Sequence, residues 1–204
     1  MHRLALAGRQ RAAFGVLAAA LIGGCASLTP PEPPLHSYSG RFAADVSRAG
    51  VREAVSGRFT LVTFPNRTAL DLASPLGNTL ARVEVDPAGA RLTATKPDGT
   101  LATWQGDSPD ALVESALGFG LPVSGLADWI AGRAVPDRPA RQFPEAGAAQ
   151  RIEQDGWVIT IDERFEETGT PRRLSLRRDD AASATSLGLR LVLDPPGNVA
   201  FTPQ

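Results

Sequence analysis

The chain has 204 residues, 43% of them hydrophobic, with 20 Gly, 17 Pro and a formal net charge of −1, which fits one globular domain with a real core and frequent turns. One Cys and two His are too few for a Cys/His zinc site, a disulfide framework or a Cys–His dyad in the folded domain. The near-neutral charge argues against a nucleic-acid binder held by counterion release.

Arg3, Arg9 and Arg11 precede the apolar run Phe14–Ile22, which leads into Gly23-Gly24-Cys25. That is the order of parts in a signal peptide, and about nine apolar residues fall well short of the roughly 20 that span a bilayer as a helix. Leu21-Ile-Gly-Gly-Cys25 also resembles the lipobox of bacterial lipoproteins. The resemblance implies a signal peptide over 1–24 and a mature N-terminus at Cys25, acylated on its thiol and amine. Each buried CH₂ contributes about 0.8 kcal/mol, so such an anchor holds stably. By the enterobacterial sorting rule, Ala26 in place of Asp points to the outer membrane. The alternative for Cys25 is a buried thiol at the end of an ordinary signal. Residues 25–36 contain Thr29-Pro-Pro-Glu-Pro-Pro34 and read as a stiff polyproline tether, able to hold a domain over 37–204 roughly 30 Å from the lipid.

From Ser37 to Gln105 the pattern is period two, as in antiparallel strands. Phe42, Ala44 and Val46 alternate with polar residues, as do Phe59, Leu61 and Thr63, then Leu70 and Leu72. Residues 79–86, 90–95 and 101–105 continue the series, separated by Pro87-Ala-Gly89 and Pro97-Asp-Gly99, which suit tight turns. The period then changes. Ser108-Pro109-Asp110 opens a helix carrying Leu112, Val113, Ala116 and Leu117 and stopped by Gly118 and Gly120. A second helix is expected from Ser124 as N-cap through Leu126, Trp129 and Ile130 to Gly132, followed by a loop over 133–148. Strands resume at 150–155 and 157–162 around Asp155-Gly156, and continue through Leu174, Leu176 and Leu187–Leu193. About ten strands with helices after the sixth predict a mainly β (α+β) fold, a curved antiparallel sheet forming an incomplete barrel under a short helical lid, with a sandwich as the alternative.

No catalytic constellation stands out. His36, the sole His after the signal is removed, reads as a solvated linker residue. Glu166-Glu167 and Asp179-Asp180 lie in expected turns beside Arg, and adjacent strand residues point to opposite faces, so neither pair converges on a substrate. No metal or cofactor motif is present. The aliphatic strand faces, the helical stripes and Trp104, Trp129 and Trp157 leave two readings open, a filled core or a gap that holds a greasy ligand. Candidate lining residues, chosen by alternation, are Phe42, Phe59, Leu61, Leu70, Leu72, Leu112, Leu117, Leu126, Ile130 and Ile159. In Ser74-Pro75-Leu76-Gly77-Asn78, Pro75 and Gly77 make a turn with Leu76 at its tip, where a leucine either folds back on the core or marks contact with a partner or membrane.

Leu70-Asp-Leu-Ala-Ser-Pro-Leu-Gly77, then Leu121-Pro-Val-x-x-Leu-x-x-Trp-Ile-x-Gly132, then Gln154-Asp-Gly-Trp157 together resemble the LolB family, outer-membrane receptors of the lipoprotein localisation pathway. Similarity runs from Gly40-Arg41-Phe42 to Asp194. The resemblance implies an incomplete barrel with an apolar acyl-chain cavity. It also implies a non-enzymatic, cofactor-free monomer, lipid-anchored and facing the periplasm, that takes lipoproteins from the carrier LolA and passes them to the inner leaflet of the outer membrane. Leu76 matches the exposed leucine of the family's membrane-delivery loop, held by Pro75 and Gly77, and Trp129 and Trp157 match structural tryptophans. The basic carrier suits a mature chain with 18 basic and 22 acidic side chains, three Arg being lost with the signal. Three features depart from the family: no Trp/Gln-containing helix precedes the first strand, Phe64 stands where Trp is frequent, and Pro195-Pro196 replace a terminal aromatic. The rival readings are an envelope hydrolase and a structural, adaptor or general lipid-binding lipoprotein without a carrier.

Overall fold

The computed structural model describes residues 32–96, 98–118, 120–144, 150–181 and 184–197; Cys25 and the signal segment lie outside them. Turn residues divide the chain into strands β1 (His36–Arg48), β2 (Val51–Thr63), β3 (Thr68–Ala73), β4 (Thr79–Asp86), β5 (Gly89–Thr95) and β6 (Leu101–Gly106). Helices α1 (Pro109–Leu117) and α2 (Val123–Ile130) follow, then β7 (Ala140–Pro144), β8 (Gln150–Gln154), β9 (Trp157–Arg164), β10 (Pro171–Asp180) and β11 (Thr185–Leu193). All eleven strands form one antiparallel, unclosed and curved sheet in the order β6-β5-β4-β3-β2-β1-β11-β10-β9-β8-β7. Its two free edges, β6 and β7, are joined in sequence by the helical segment, which therefore has to pass from one edge to the other.

Alternation decides which face is apolar. Phe42, Ala44 and Val46 of β1 are buried while Arg41 and Asp45 are exposed, and Leu187, Leu189, Leu191 and Leu193 of β11 are buried around exposed Ser186 and Arg190. These residues form one core with Val113, Leu121, Val123, Leu126, Trp129 and Ile130 of the helical segment. Two glycines shape the long β1–β2 pair. Gly40 faces Phe59 and Gly57 faces Phe42 across the ladder. A Cβ at Gly40 would lie 2.2 Å from the Val192 carbonyl oxygen, and one at Gly57 would lie 2.1 Å from that of Ala73 and 2.9 Å from the Phe42 ring. Only glycine allows this approach, and each phenylalanine packs over the gap in the facing strand.

Four local expectations change. The 133–148 loop contains β7, an edge strand held by backbone pairing to β8, with Gln142 opposite Ile152; such a strand shows no clear side-chain period, and Pro144 at its end fits an edge position. The N-cap of α2 is Pro122, which makes no side-chain cap bond. Ser124 lies inside the helix, where its N–H and hydroxyl both donate to the Asp110 carboxylate of α1, at 2.9 and 2.7 Å. Asp179-Asp180 end β10 rather than occupying a turn. His36 is exposed, but it opens β1 opposite Thr63 and stacks on Tyr38. As expected, Ser108 caps α1, accepting from the Ala111 N–H, and Gly118 ends it at φ 76°.

Gly57→Ala is expected to cost about 1–3 kcal/mol in urea unfolding through overpacking, whereas Ser56→Ala, on the exposed face, should stay within about 0.5 kcal/mol of wild type.

Candidate functional site

The β3–β4 loop is closed by short-range hydrogen bonds. The Gly77 N–H donates to the Ser74 carbonyl at 2.9 Å, the Ser74 N–H to the Asn78 carbonyl at 2.8 Å, and the Asn78 N–H to the Ser74 hydroxyl at 3.2 Å. Gly77 takes φ 92°, a conformation that favours glycine. Leu76, between Pro75 and Gly77, is 91% exposed. A side chain of that size in a tightly bonded turn, turned away from the core, is an apolar pin with no partner inside the domain.

Beneath the helices lies a wholly apolar cleft lined by Phe42, Phe59, Leu70, Leu72 and Leu126 together with Leu121, Pro122, Leu189 and Leu191. Five of the ten lining candidates therefore meet there. Leu61, Ile130 and Ile159 are buried elsewhere in the same core, Leu112 is half-buried, and the Leu117 side chain lies outside the described residues. The four lining residues missed by alternation had visible signals: Leu189 and Leu191 continue the β11 alternation, and Leu121-Pro122 joins the helices. The cleft holds only about 20 Å³, roughly the space for one water, where ligand pockets run to about 300 Å³ or more. It is narrow, with Leu121 and Leu126 of the helical cover lining it opposite the strand residues. Further along the same inner faces, Val46 and Leu187 floor an open vestibule of about 560 Å³ rimmed by Arg48, Glu114, Gly118 and Arg178. There the Arg48 guanidinium donates to the Gly118 carbonyl at the end of α1.

At the Trp129 end the cover is fastened by one polar residue. Gln154, 3% exposed, accepts at Oε1 from Trp129 Nε1 at 2.9 Å and the Val135 N–H at 2.8 Å. Its Nε2 donates to the carbonyls of Val135 at 3.0 Å and Arg138 at 3.3 Å, so all four bonding positions of the amide are used. Trp129 also packs on Trp157, with ring centroids 6.4 Å apart, and over Gly125, where a Cβ would meet its ring at 2.6 Å. Sequence reasoning assigned Gln154 no role. The signal was a polar residue in phase with inward-facing Ile152.

Three groups outside the cleft lining have shifted titration. Burial pushes the Tyr38 phenol up, a hydrogen bond to Asp71 raises Arg82, and hydrogen bonds from Thr100 pull the Asp98 carboxyl down. Among the described residues, no group of three His, Cys, Asp or Glu could hold a metal ion.

The family described as "Outer membrane lipoprotein LolB" matches residues 36–195, from the first residue of β1 to just past β11. The chain belongs to the LolB family. A LolB of Bordetella petrii, named outer-membrane lipoprotein, is 44% identical over 170 residues, covering 79% of this chain and 81% of the relative. One of Cupriavidus necator is 37% identical over 196 residues, covering 92% and 96%. A solved LolA superfamily protein from Nitrosomonas europaea aligns over 81% of this chain and 90% of its own, at 11% identity and a TM-score of 0.39. LolB proteins are not enzymes and carry no cofactor. Phe64 is buried, with Arg67 over its ring at 4.0 Å.

Gln154→Leu should loosen the cover by about 1–3 kcal/mol, since it leaves the Trp129 Nε1–H and the Val135 groups unpaired. Trp fluorescence in urea reads this as an earlier, broader transition.

Proposed function

We propose that the chain is a lipoprotein receptor, anchored in the outer membrane through acylated Cys25 and facing the periplasm. It accepts lipoproteins from a soluble carrier of the LolA type and delivers them into the inner leaflet. The observation that carries this reading is Leu76, 91% exposed at the tip of a turn that fixes its direction. The wholly apolar cleft under the helices is the place for the acyl chains, reached through the Val46/Leu187 vestibule. Because the cleft holds only about 20 Å³, loading requires the Leu121–Leu126 part of the cover to lift. A long acyl chain supplies the compensation, at about 0.8 kcal/mol for each CH₂ taken out of water.

Transfer under this reading is non-covalent. Acyl chains leave one apolar cleft for another and then for the bilayer, and a step of 1.4 kcal/mol is already tenfold in equilibrium. Tight binding would defeat release. A cleft that closes on itself when empty suits the purpose, since the cover's own side chains compete with the cargo for the same apolar surface.

The small cleft volume favours one other reading, a filled-core adaptor lipoprotein without a carrier. Titration with a fluorescent fatty acid separates the two: a receptor shows saturable binding, and an adaptor shows none. In a reconstituted carrier-to-liposome assay, Leu76→Glu is expected to keep uptake from the carrier and to cut delivery into the membrane at least tenfold. Unchanged delivery would sink the role of Leu76.

A further inference from the structure

The outer face of the sheet carries several cross-strand ion pairs, and at the foot of the Leu76 loop two cations face each other instead. Arg82 on β4 is bonded to Asp71 on β3 at 2.5 and 3.0 Å. Arg190 on β11 meets Asp45 on β1 at 3.2 Å, and Arg173 on β10 meets Glu163 on β9 at 2.8 Å. Arg41 of β1 breaks this pattern. It is exposed, has no ion pair among the described residues, and stands directly opposite Arg58 of β2. Arg58, with its side chain 57% exposed, reaches an acidic group only at 3.9 Å, the Asp194 carboxylate that already accepts from the Ser39 hydroxyl. Like charges facing one another across a ladder destabilise a sheet, so this arrangement is a cost that solubility does not require.

Register shows what the pair adjoins. Arg58 is paired with Ala73, the last residue of β3 before the loop begins at Ser74. Neighbouring strands lie about 4.8 Å apart, so the two Arg backbones stand roughly 5 and 10 Å from the loop's foot. An apolar pin beside two facing guanidinium groups, one without an ion pair among the described residues and one with only a 3.9 Å contact to Asp194, is the footprint of a protein that settles on an anionic lipid surface, the pin entering the acyl region and the cations meeting phosphates.

We propose that Arg41 and Arg58 form a phosphate-binding footing that seats the Leu76 loop on anionic phospholipid headgroups. The proposal rests on the reading of Leu76 as a membrane-entering residue and adds the lipid charge that this residue requires. Because the anchor makes the encounter intramolecular, weak ionic contacts suffice to set how often the loop is seated. Each basic residue held near an anionic leaflet raises that occupancy about fivefold, and salt weakens the effect.

The test uses the full-length lipidated chain in vesicles of phosphatidylethanolamine, with or without phosphatidylglycerol, carrying an environment-sensitive fluorophore on Asn78→Cys. The only native cysteine is Cys25, whose thiol the anchor consumes. In phosphatidylglycerol vesicles, Arg41→Gln/Arg58→Gln is expected to lower the membrane-inserted signal about tenfold and to remove its salt dependence. In vesicles without phosphatidylglycerol it should match wild type. The charge-matched control Arg91→Gln/Arg141→Gln should behave as wild type in both, and the double Arg variant should unfold at the same urea concentration as wild type or higher.

A double variant that inserts like wild type in phosphatidylglycerol vesicles, while Leu76→Glu still abolishes the signal, overturns the footing and leaves the loop reading intact. An equal loss in both vesicle types, or a lower unfolding midpoint, overturns it by giving the pair a protein contact or a structural role instead. A signal that survives Leu76→Glu overturns the loop reading and the footing together.

Discussion

An eleven-stranded antiparallel sheet that does not close has an apolar inner face, and that face cannot be left in water. Every other feature of the domain answers to this constraint. The strands at the two edges, β6 and β7, are joined through α1 and α2, so the same piece of chain that connects the edges also covers the face. Strand alternation supplies one half of the core and the short helices supply the other. The contact between the halves is apolar around Leu121 and Leu126, with polar contacts at Gln154 and, at the end of α1, between Arg48 and the Gly118 carbonyl. A cover held mainly by non-directional packing, with its buried directional fastening at the Trp129 end and only the exposed Arg48–Gly118 bond at the end of α1, is suited to lift between them without unfolding.

Most of this was legible in the sequence because period-two alternation is a local signal. Phe42, Ala44 and Val46, and the four leucines of β11, mark the inner face without reference to any other part of the chain. Turn chemistry at Gly77 and the caps at Ser108 and Gly118 were legible for the same reason. The misses have a common cause, which is that they depend on a partner distant in sequence. β7 exists because β8 offers a backbone edge. The start of α2 is satisfied by Asp110 of the preceding helix rather than by Ser124 as its own cap. Gln154 acquires its role only when Trp129 and Val135 arrive beside it. The volume of the cleft was illegible too, since lining residues can be read from alternation, but whether Leu121 and Leu126 fill the space they border is a matter of side-chain interdigitation.

The two faces of the sheet carry different demands. The inner face is apolar apart from Gln154 and the charged rim of the vestibule, so under the receptor reading the residues that hold the empty domain together are those that acyl chains would touch. The outer face carries cross-strand ion pairs, and Arg41 and Arg58 face each other beside the turn that displays Leu76.

The central claim is that the sheet stays fixed while the helical cover moves to admit acyl chains. Amide hydrogen exchange on the lipidated protein, with and without a bound acylated peptide, tests it most directly. The account predicts faster exchange on loading across residues 109–130, with β1 and β11 unchanged. Unchanged exchange in the cover with acyl ligand bound, or an equal rise throughout the sheet, would contradict it.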